Sequence, residues 1–400
     1  MSTRLCLAAA VFVAVTVPAP AADAQWTQFR GANAGDVGDD PRLPDTWSTT
    51  ENVVWNVDLP GLSWSSPVVW ENTIFVTSAI SAGEEPAPIP GLYDPGDDNG
   101  ATRSVQKHRW VVYNIDFETG TVRWEREVAS AAPEIARHIK NSFASETPVT
   151  DGRRVYAYFG SVGVVGALNM SGETVWTTEL GAFETTLGFG SAASPVLHDD
   201  RLYIVNDNVE QSFMVALDKN TGRELWRVER DERGQNWATP FVWEHDQRTE
   251  IVTAGTQGVR SYDLDGTLLW EIHGMSGLTI PTPFAKHGLL YISSGYPGGG
   301  LRPVYVVKPG ASGDISIWSA DDMRTGLSSG FPGTRASSDA IVWAYPLLGT
   351  YNTSALVYGD HYYTLLDRGF LVAHDARTGE EVYGRRRLEI GNGFTASPWA

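Results

Sequence analysis

A short stretch of this 400-residue sequence carries ionisable side chains that could serve a binding site. His138, Lys140 and Glu146 lie within nine positions of one another, although local ion pairing would explain them equally well. The eight histidines form no His-x-x-x-His pair, and no Gly-x-Ser-x-Gly motif occurs. No carboxylate is singled out as a catalytic base by its spacing, so the sequence leaves enzymatic activity open.

A second polar cluster offers oxygen ligands to a cation. Asn206, Asp207 and Glu210 directly follow the apolar run 201–205. Carboxylate and amide oxygens suit calcium, and Glu146 is a further candidate ligand. Asn and Asp are also ordinary turn residues at the end of a strand, so a turn remains the simpler interpretation.

Composition and charge restrict the class of protein. The chain has 42% hydrophobic and 20% charged residues, together with 41 Gly, 22 Pro and 15 Trp, which indicates a folded protein rich in turns and aromatic packing. The formal net charge of −18 disfavours a nucleic-acid partner. These features favour an all-β protein.

Residues 1–24 have the pattern of a secretory signal peptide. Arg4 precedes the apolar run 5–17, and the small-residue site Ala22-Asp23-Ala24 predicts cleavage after Ala24. The only cysteine, Cys6, lies inside this segment, so the mature chain has no thiol. We expect a periplasmic or secreted protein with no transmembrane segment in its mature part.

Two short motifs recur along the rest of the chain. The first is Ser or Thr followed by Pro and an apolar run, at Ser66, Thr147, Ser194, Thr239, Thr282, Ser354 (with Ala in place of Pro) and Ser397. The second is a turn of the type Asp-x-x-Thr-Gly with an aromatic residue four positions after the Gly, which gives Trp124, Trp176, Trp226, Trp270 and Tyr383. Trp55 and Trp343 resemble the same closing position without the turn. These closing tryptophans are expected to be structural.

Short alternating runs between the motifs predict strands, and each unit has the length of a propeller blade. We therefore predict one β-propeller domain of four-stranded antiparallel blades over residues 25–400, with loop-like insertions at about 81–101 and 295–338. Pro133 and the following residues suggest a short helix. Seven or eight blades are expected. Because Ser397 opens a unit, the natural protein is expected to continue for one or two further blades to a total of eight.

The repeat carries a resemblance to a known family. Ala216-Leu-Asp-Lys-Asn-Thr-Gly-Arg-Glu-Leu-Trp226 resembles the repeat of the pyrroloquinoline quinone (PQQ)-binding-like β-propellers, which include quinoprotein alcohol dehydrogenases and the assembly lipoprotein BamB. The segment Trp26-Thr-Gln-Phe-Arg-Gly31 is similar to the start of a secreted bacterial branch. The resemblance implies an eight-bladed ring, and for the dehydrogenases it implies PQQ and calcium. Their pair of adjacent cysteines is missing here.

A ligand of such a ring would sit at the mouth of the central channel. The residues just before each Ser/Thr-Pro motif should ring that mouth, and they mix aromatic rings with amides, hydroxyls and one carboxylate. The candidates are Trp64, Asn141, Glu146, Ser191, Asn236, Trp237, Thr279 and Asn352. This set suits a planar polar ligand. The sequence thus favours a binding or scaffolding module for a protein partner or small ligand, with a PQQ- and calcium-dependent oxidoreductase as the alternative.

Overall fold

The structure is a computed structural model of the chain. It describes residues 25–32, 43–86, 100–231, 234, 236–256, 258–298, 300–318, 338–389, 391 and 393–399. The predicted signal segment 1–24 lies outside the described residues. Within these ranges, no helix is long and apolar enough to cross a membrane.

Six antiparallel sheets follow one another along the described chain. Blade 1 contains β1 (Gln25–Trp26), β2 (Val68–Trp70), β3 (Thr73–Ser81), β5 (His108–Asp116) and β6 (Val122–Ala131), while β4 (Ala101–Thr102) pairs with β7 (Arg137–His138). Blade 2 contains β8 (Val149–Thr150), β9 (Arg154–Phe159), β10 (Val164–Asn169) and β11 (Thr174–Glu179). Blade 3 contains β12 (Val196–His198), β13 (Arg201–Asn206), β14 (Phe213–Asp218) and β15 (Glu224–Glu229).

The second half of the chain repeats this order. Blade 4 contains β16 (Phe241–Glu244), β17 (Thr249–Ala254), β18 (Gly258–Tyr262) and β19 (Leu268–His273), to which β23 (Gly313–Asp314) adds in parallel. Blade 5 contains β20 (Phe284–Lys286), β21 (Leu289–Ser293), β22 (Val304–Val307) and β24 (Ile341–Tyr345). Blade 6 contains β25 (Leu356–Tyr358), β26 (His361–Leu366), β27 (Phe370–Asp375) and β28 (Glu381–Arg387). The predicted all-β propeller class is confirmed, and the described residues supply six blades of the seven or eight expected.

The inner strands are apolar on both faces where a blade packs between two others. In β9, Val155, Ala157 and Phe159 belong to the core shared with blade 1. The alternate residues Tyr156 and Tyr158 belong to the core shared with blade 3. Side chains on a strand alternate between the two faces of the sheet, so one strand contributes to two cores. Stacked sheets of this kind form the body of a propeller.

The closing aromatic residues join successive blades. The Trp176 indole N–H donates to the Lys219 carbonyl at 2.9 Å, and Gly222 of the same turn lies against the indole face. Gly222 has a φ of +73°, which a residue with a side chain rarely adopts. The same glycine-on-indole contact recurs at Trp55–Gly120, Trp124–Gly172, Trp226–Gly266 and Trp343–Gly379. Each contact joins a closing tryptophan to the glycine turn of the blade that follows it.

Trp270 differs from the other closing tryptophans. Its indole N–H donates to a Glu250 carboxylate oxygen at 2.6 Å, inside its own blade. Glu250 is fully buried and also accepts from His245 at 2.9 Å and from Arg248 at 2.7 Å. The indole N–H of Trp270 therefore bonds to a side chain of its own blade, whereas that of Trp176 bonds to a backbone carbonyl of the next blade.

Two local expectations are corrected by the structure. Residues 133–140 form no helix, since Arg137–His138 is the strand β7, paired with β4. Helical apolar spacing in so short a segment is overridden by this pairing. The glycine-rich stretch 295–338 contains β22, the third strand of blade 5, together with β23. The only helical turn in the described part of the chain is the 3₁₀ turn Thr186–Gly188.

Candidate functional site

The blades surround a central cavity of about 840 Å³ at the beginning of their innermost strands. Its aromatic wall residues are Trp26, Phe29, Trp64, Trp237 and Trp399. Its polar wall residues are Arg30, Asn141, Asn352, Ser66, Ser145, Ser194, Thr239, Ser354, Thr395 and Ser397, and the remainder are Ala192, Ile280, Ala396 and Pro398. A concave site with aromatic walls and a few polar groups is typical of a small-molecule pocket.

The indoles of Trp64 and Trp237 are fixed before any ligand arrives. Trp64 donates its indole N–H to the Lys140 carbonyl at 2.5 Å, and Trp237 donates to the Gly190 carbonyl at 2.8 Å. Trp237 also stacks on Phe189, with ring centroids 6.3 Å apart and an interplanar angle of 21°. Because both polar edges are satisfied by backbone, the rings present apolar faces. Trp64 is 45% exposed.

The two cavity amides are also held in place. Asn141 donates to the Phe189 carbonyl at 3.0 Å and accepts the Ser142 N–H at 2.9 Å. Asn352 donates its side-chain amide to an Asp367 carboxylate oxygen at 3.2 Å, and its backbone N–H donates to the same oxygen at 2.7 Å. Such anchored amides can fix the orientation of a bound molecule.

Arg30 is the charged residue of the described cavity wall. Its guanidinium donates to the Ala355 carbonyl at 3.2 Å and reaches the Pro398 carbonyl at 3.5 Å. Only 7% of the residue is exposed, and burial lowers the pKa of its guanidinium to about 10. A pKa of that value keeps Arg30 positively charged at neutral pH.

Glu146 lies behind the cavity wall and not on it. Its carboxyl is buried, accepts the Gly160 N–H at 3.1 Å and bonds to Ser191. Burial raises the pKa of this carboxyl above its ordinary value, because the charged form is poorly solvated there. Ser191 is therefore a partner of Glu146, and neither residue belongs to the cavity wall.

Asn236 precedes Trp237 in the chain, and Thr279 is hydrogen-bonded to Trp237 through the backbone. Trp237 donates its backbone N–H to the Thr279 carbonyl at 2.8 Å. Asn236 donates to an Asp207 carboxylate oxygen at 3.0 Å and accepts the Thr256 hydroxyl at 2.8 Å. Both are buried and lie outside the cavity wall. Of the predicted mouth residues, Trp64, Asn141, Trp237 and Asn352 lie on the wall.

The oxygens of the predicted metal cluster are already engaged. Asp207 forms a buried ion pair with Arg230, with an N–O distance of 2.7 Å. The side-chain oxygen of Asn206 accepts the Asn208 amide at 3.0 Å, and the exposed Glu210 accepts the Glu184 N–H at 3.0 Å. The described residues contain no group of three or more His, Cys, Asp or Glu side chains that could hold a metal.

A calcium ion therefore does not fit the described donor set. Calcium prefers several carboxylate and carbonyl oxygens in one shell. The described wall of the cavity carries no carboxylate, and Glu146 faces away from it. A planar group fits better, because Trp64 and Trp237 offer flat faces to it.

The N-terminal segment of the described chain is the part of the site that sequence reasoning did not find. Trp26 in β1, with Phe29 and Arg30 just after it, precedes the first Ser-Pro motif, yet all three residues line the cavity. β1 pairs with β2, and the Thr27 carbonyl accepts the Thr150 N–H at 2.9 Å, which ties the segment to blades 1 and 2. The aromatic and basic residues of Trp26–Gly31 could have indicated that this segment contributes to a binding site.

Comparison with known proteins agrees with this fold. Residues 161–295 match the family model described as outer membrane protein assembly factor BamB. The structure of a europium-containing methanol dehydrogenase has a TM-score of 0.53 at 13% identity, with 94% of this chain and 87% of that chain covered. BamB from Moraxella catarrhalis gives a TM-score of 0.44 at 14% identity, covering 80% of this chain and 92% of its own.

The quinohemoprotein alcohol dehydrogenase of Comamonas testosteroni has a TM-score of 0.39 at 14% identity, with 85% of this chain and 69% of that chain covered. No curated protein sequence matches the chain significantly. Residues 161–295 thus resemble BamB-type repeats, and the likeness to the methanol dehydrogenase supports a β-propeller fold for the chain.

Proposed function

We propose that the protein is an extracytoplasmic binding or scaffolding module that holds a small ligand, or part of a protein partner, in its central cavity. The observation that carries the proposal is the cavity itself, where Trp64 and Trp237 are fixed by backbone hydrogen bonds with their faces presented. Binding to such a preformed site costs little ordering entropy. A planar polar molecule would stack on these rings, and Asn141 and Asn352 lie on the same wall to orient it.

A protein partner is supported by two observations. The matching family model is described as an assembly factor, and the rim of the cavity is rich in exposed aromatic surface. Trp399 is 63% exposed and Trp64 is 45% exposed. Exposed tryptophans are enriched where proteins bind each other. The net charge of −18 makes nucleic acid an unsuitable partner.

The alternative function is a PQQ- and calcium-dependent oxidoreductase. The indole faces suit a planar quinone, and the fold likeness to a methanol dehydrogenase supports this alternative. The described wall offers no carboxylate to a calcium ion, which favours the binding module.

Location outside the cytoplasm rests on the first 24 residues. Arg4, the apolar run 5–17 and Ala24 have the order of a signal peptide. Expression in a bacterial host with an intact export pathway should yield a protein whose N-terminus is Gln25. Export followed by retention of residues 1–24 would contradict this proposal.

A fluorescence titration tests the cavity and separates the two functions. PQQ is added to the mature protein with and without calcium while tryptophan emission is recorded. We expect saturable quenching that is independent of calcium, weakened in Trp237→Phe, and retained in the matched variant Trp176→Phe, whose ring lies between blades. Quenching that requires calcium would favour the oxidoreductase. Loss of quenching in Trp176→Phe alone would contradict binding in the cavity.

A further inference from the structure

The loop between β3 and β5 reaches the connection that carries part of the cavity wall. Its described residues are 82–86 and 100–107, and we call them the blade 1 insertion. β4 of this insertion pairs with β7, and the Gly100 carbonyl accepts the Ile139 N–H at 2.6 Å. From β7 the chain continues to Asn141, which lies on the wall. The blade 1 insertion is thus joined by backbone hydrogen bonds to the segment that forms this part of the site.

A buried carboxylate makes a second connection. Glu85 lies in the blade 1 insertion, and one of its carboxylate oxygens is 2.9 Å from Nε2 of His108 in β5. Its other oxygen is 3.5 Å from Nη2 of Arg137 in β7. The side chains of His108 and Arg137 are each 1% exposed, and that of Glu85 is 10% exposed. One carboxylate therefore bridges blade 1 and the connection that follows it.

Arg137 connects this carboxylate to the cavity wall. Its Nη1 donates to the Asn141 carbonyl at 2.8 Å, and its guanidinium lies 5.2 Å from the centre of the Phe143 ring. The neighbouring Lys140 carbonyl accepts the Trp64 indole N–H at 2.5 Å. Asn141 and Trp64 are both wall residues. Arg137 thus fixes the stretch of backbone from which an amide and an indole of the site are held.

The His108 ring lies between two acceptors. Nδ1 is 2.8 Å from the Gln106 carbonyl oxygen, and Nε2 faces the Glu85 carboxylate. A carbonyl and an ionised carboxylate only accept hydrogen bonds, and their lone pairs would repel a bare ring nitrogen. Arg137 at the same carboxylate favours its ionised form. His108 is therefore charged in this arrangement, and histidine is the side chain that changes its charge between about pH 5 and pH 8.

Further ionisable groups lie near Glu85. Glu84 and Arg103 line a small cavity of about 160 Å³ together with Glu85 and Arg137. Arg103 forms an ion pair with Glu184, and Glu84 is exposed to solvent. Burial lowers the pKa of the Arg137 guanidinium, and the charge of Glu85 opposes that shift. Within the described residues, Glu85 is thus the carboxylate that holds both buried cations.

We propose that Glu85 and Arg137 are positioning residues of the cavity, and that the proton on His108 controls how well they hold its wall. This inference rests on the proposed function and adds a control on binding at the same site. Loss of the proton leaves Glu85 beside a neutral ring and removes one of the two cations that hold its carboxylate. Arg137 is then anchored less well, residues 137–146 loosen, and a ligand that stacks on Trp64 binds less tightly.

A neutral probe tests the inference on the mature protein. The affinity of naphthalene-2-carboxamide, whose charge does not change with pH, is measured by calorimetric titration at about pH 5.5 and about pH 8. We expect the dissociation constant to rise about fivefold at the higher pH, which is the lower end of typical couplings between two sites. Glu85→Gln should bind equally weakly at both pH values, because its side chain carries no charge for His108 to pair with. Thermal unfolding confirms that the variant is folded.

His198→Gln is the matched control. His198 also lies beside carboxylates, those of Glu244 and Asp199, but it belongs to β12 of blade 3 and is not a residue of the cavity wall. This variant should retain the change of affinity with pH. Equal affinities of the unaltered protein at the two pH values would overturn the inference but leave cavity binding intact. A change of affinity that persists in full in Glu85→Gln would overturn it as well.

Hydrogen exchange without ligand separates this inference from the proposed function. The backbone N–H groups of His138, Ile139 and Asn141 are hydrogen-bonded. At about pH 6 they should exchange at least about threefold faster in Glu85→Gln than in the unaltered protein, while those of β9 are unchanged. Faster exchange without binding of the probe up to about 1 mM would support the positioning role and count against the proposed function. Unchanged exchange would overturn the inference even if the probe binds.

Discussion

The backbone N–H of Ser66 donates to the hydroxyl oxygen of Thr147 at 2.9 Å, although 81 positions separate the two residues. The same bond joins Thr147 to Ser194 and Ser194 to Thr239. The repeat in the sequence is therefore a repeat of contacts between blades. Each hydroxyl therefore joins the beginnings of two neighbouring inner strands.

Thr147→Val removes the hydroxyl that accepts the Ser66 N–H while keeping the volume of the side chain. This variant should therefore destabilise the protein. Thr147 is 1% exposed, and loss of one partner of a buried hydrogen bond costs about 1–3 kcal/mol. Thr147→Ser retains the hydroxyl and should lose less. The free energy of unfolding is measured with denaturant. A larger loss in Thr147→Ser than in Thr147→Val would show that the methyl group, and not the hydroxyl, matters.

Gly222→Ala should destabilise the protein through a clash with Trp176. A Cβ atom at Gly222 would lie 2.5 Å from the indole, and the φ of +73° disfavours a side chain by about 1–2 kcal/mol in addition. Gly288→Ala is the matched control, because Gly288 has a φ of +72° and nothing within 4 Å of the new atom.

The difference between these two glycine variants isolates the close contacts of Gly222 with Trp176 and Thr178. We expect the melting temperature of Gly222→Ala to fall clearly below that of Gly288→Ala. Equal melting temperatures would mean that the backbone conformation alone requires glycine, and that the indole can move aside.

Asp207→Asn should destabilise the protein because Arg230 would lose its buried counter-charge. Both side chains of this ion pair are 0% exposed, and breaking such a pair costs about 3–5 kcal/mol. Since Asp207 is engaged by Arg230, calcium should not change the melting temperature of either protein. If calcium raised the melting temperature of the unaltered protein but not that of Asp207→Asn, a calcium site at Asp207 would be supported.

Glu146→Gln should change how stability depends on pH. The pKa of the buried Glu146 carboxyl is raised above 4.5, so the folded state binds its proton more tightly than the unfolded state. The carboxyl contributes its full stability below about pH 4.5 and loses it as the pH rises through the folded pKa. The glutamine variant has no proton to lose and keeps an oxygen for the Gly160 N–H.

The measurement compares urea unfolding of the two proteins from about pH 4.5 to about pH 8. The stability of Glu146→Gln relative to the unaltered protein should rise with pH over this range. Parallel curves would show that the Glu146 carboxyl titrates as it does in water.

The blades were predictable because they repeat. Trp176 pairs opposite Ala167 in register, and the less obvious Trp343 and Tyr383 pair at the equivalent places opposite Val306 and Ala373. Their position in the sequence relative to the strands is therefore enough to identify them as closing residues of their blades. Trp270 shows the limit of this reasoning, because its partner Glu250 has no counterpart in the repeat motif.

The cavity was predictable only in part. The segments before each Ser/Thr-Pro motif do approach the centre, but successive residues alternate between the cavity and the blade. Ser145 lies on the wall and its neighbour Glu146 does not. Nothing in the sequence sets the phase of this alternation. Arg30 was missed for another reason, since its contact with Ala355 joins residues 325 positions apart and belongs to no repeat.

A crystal structure of the mature protein with a bromine-labelled planar polar probe, 6-bromonaphthalene-2-carboxamide, tests the central claim most directly. Anomalous scattering locates the bromine without reference to any assumed site. The account predicts one bromine inside the cavity, with the ring of the probe against Trp64 or Trp237. Bromine bound on the outer face of the blades, with the cavity left to solvent at saturating probe, would contradict it.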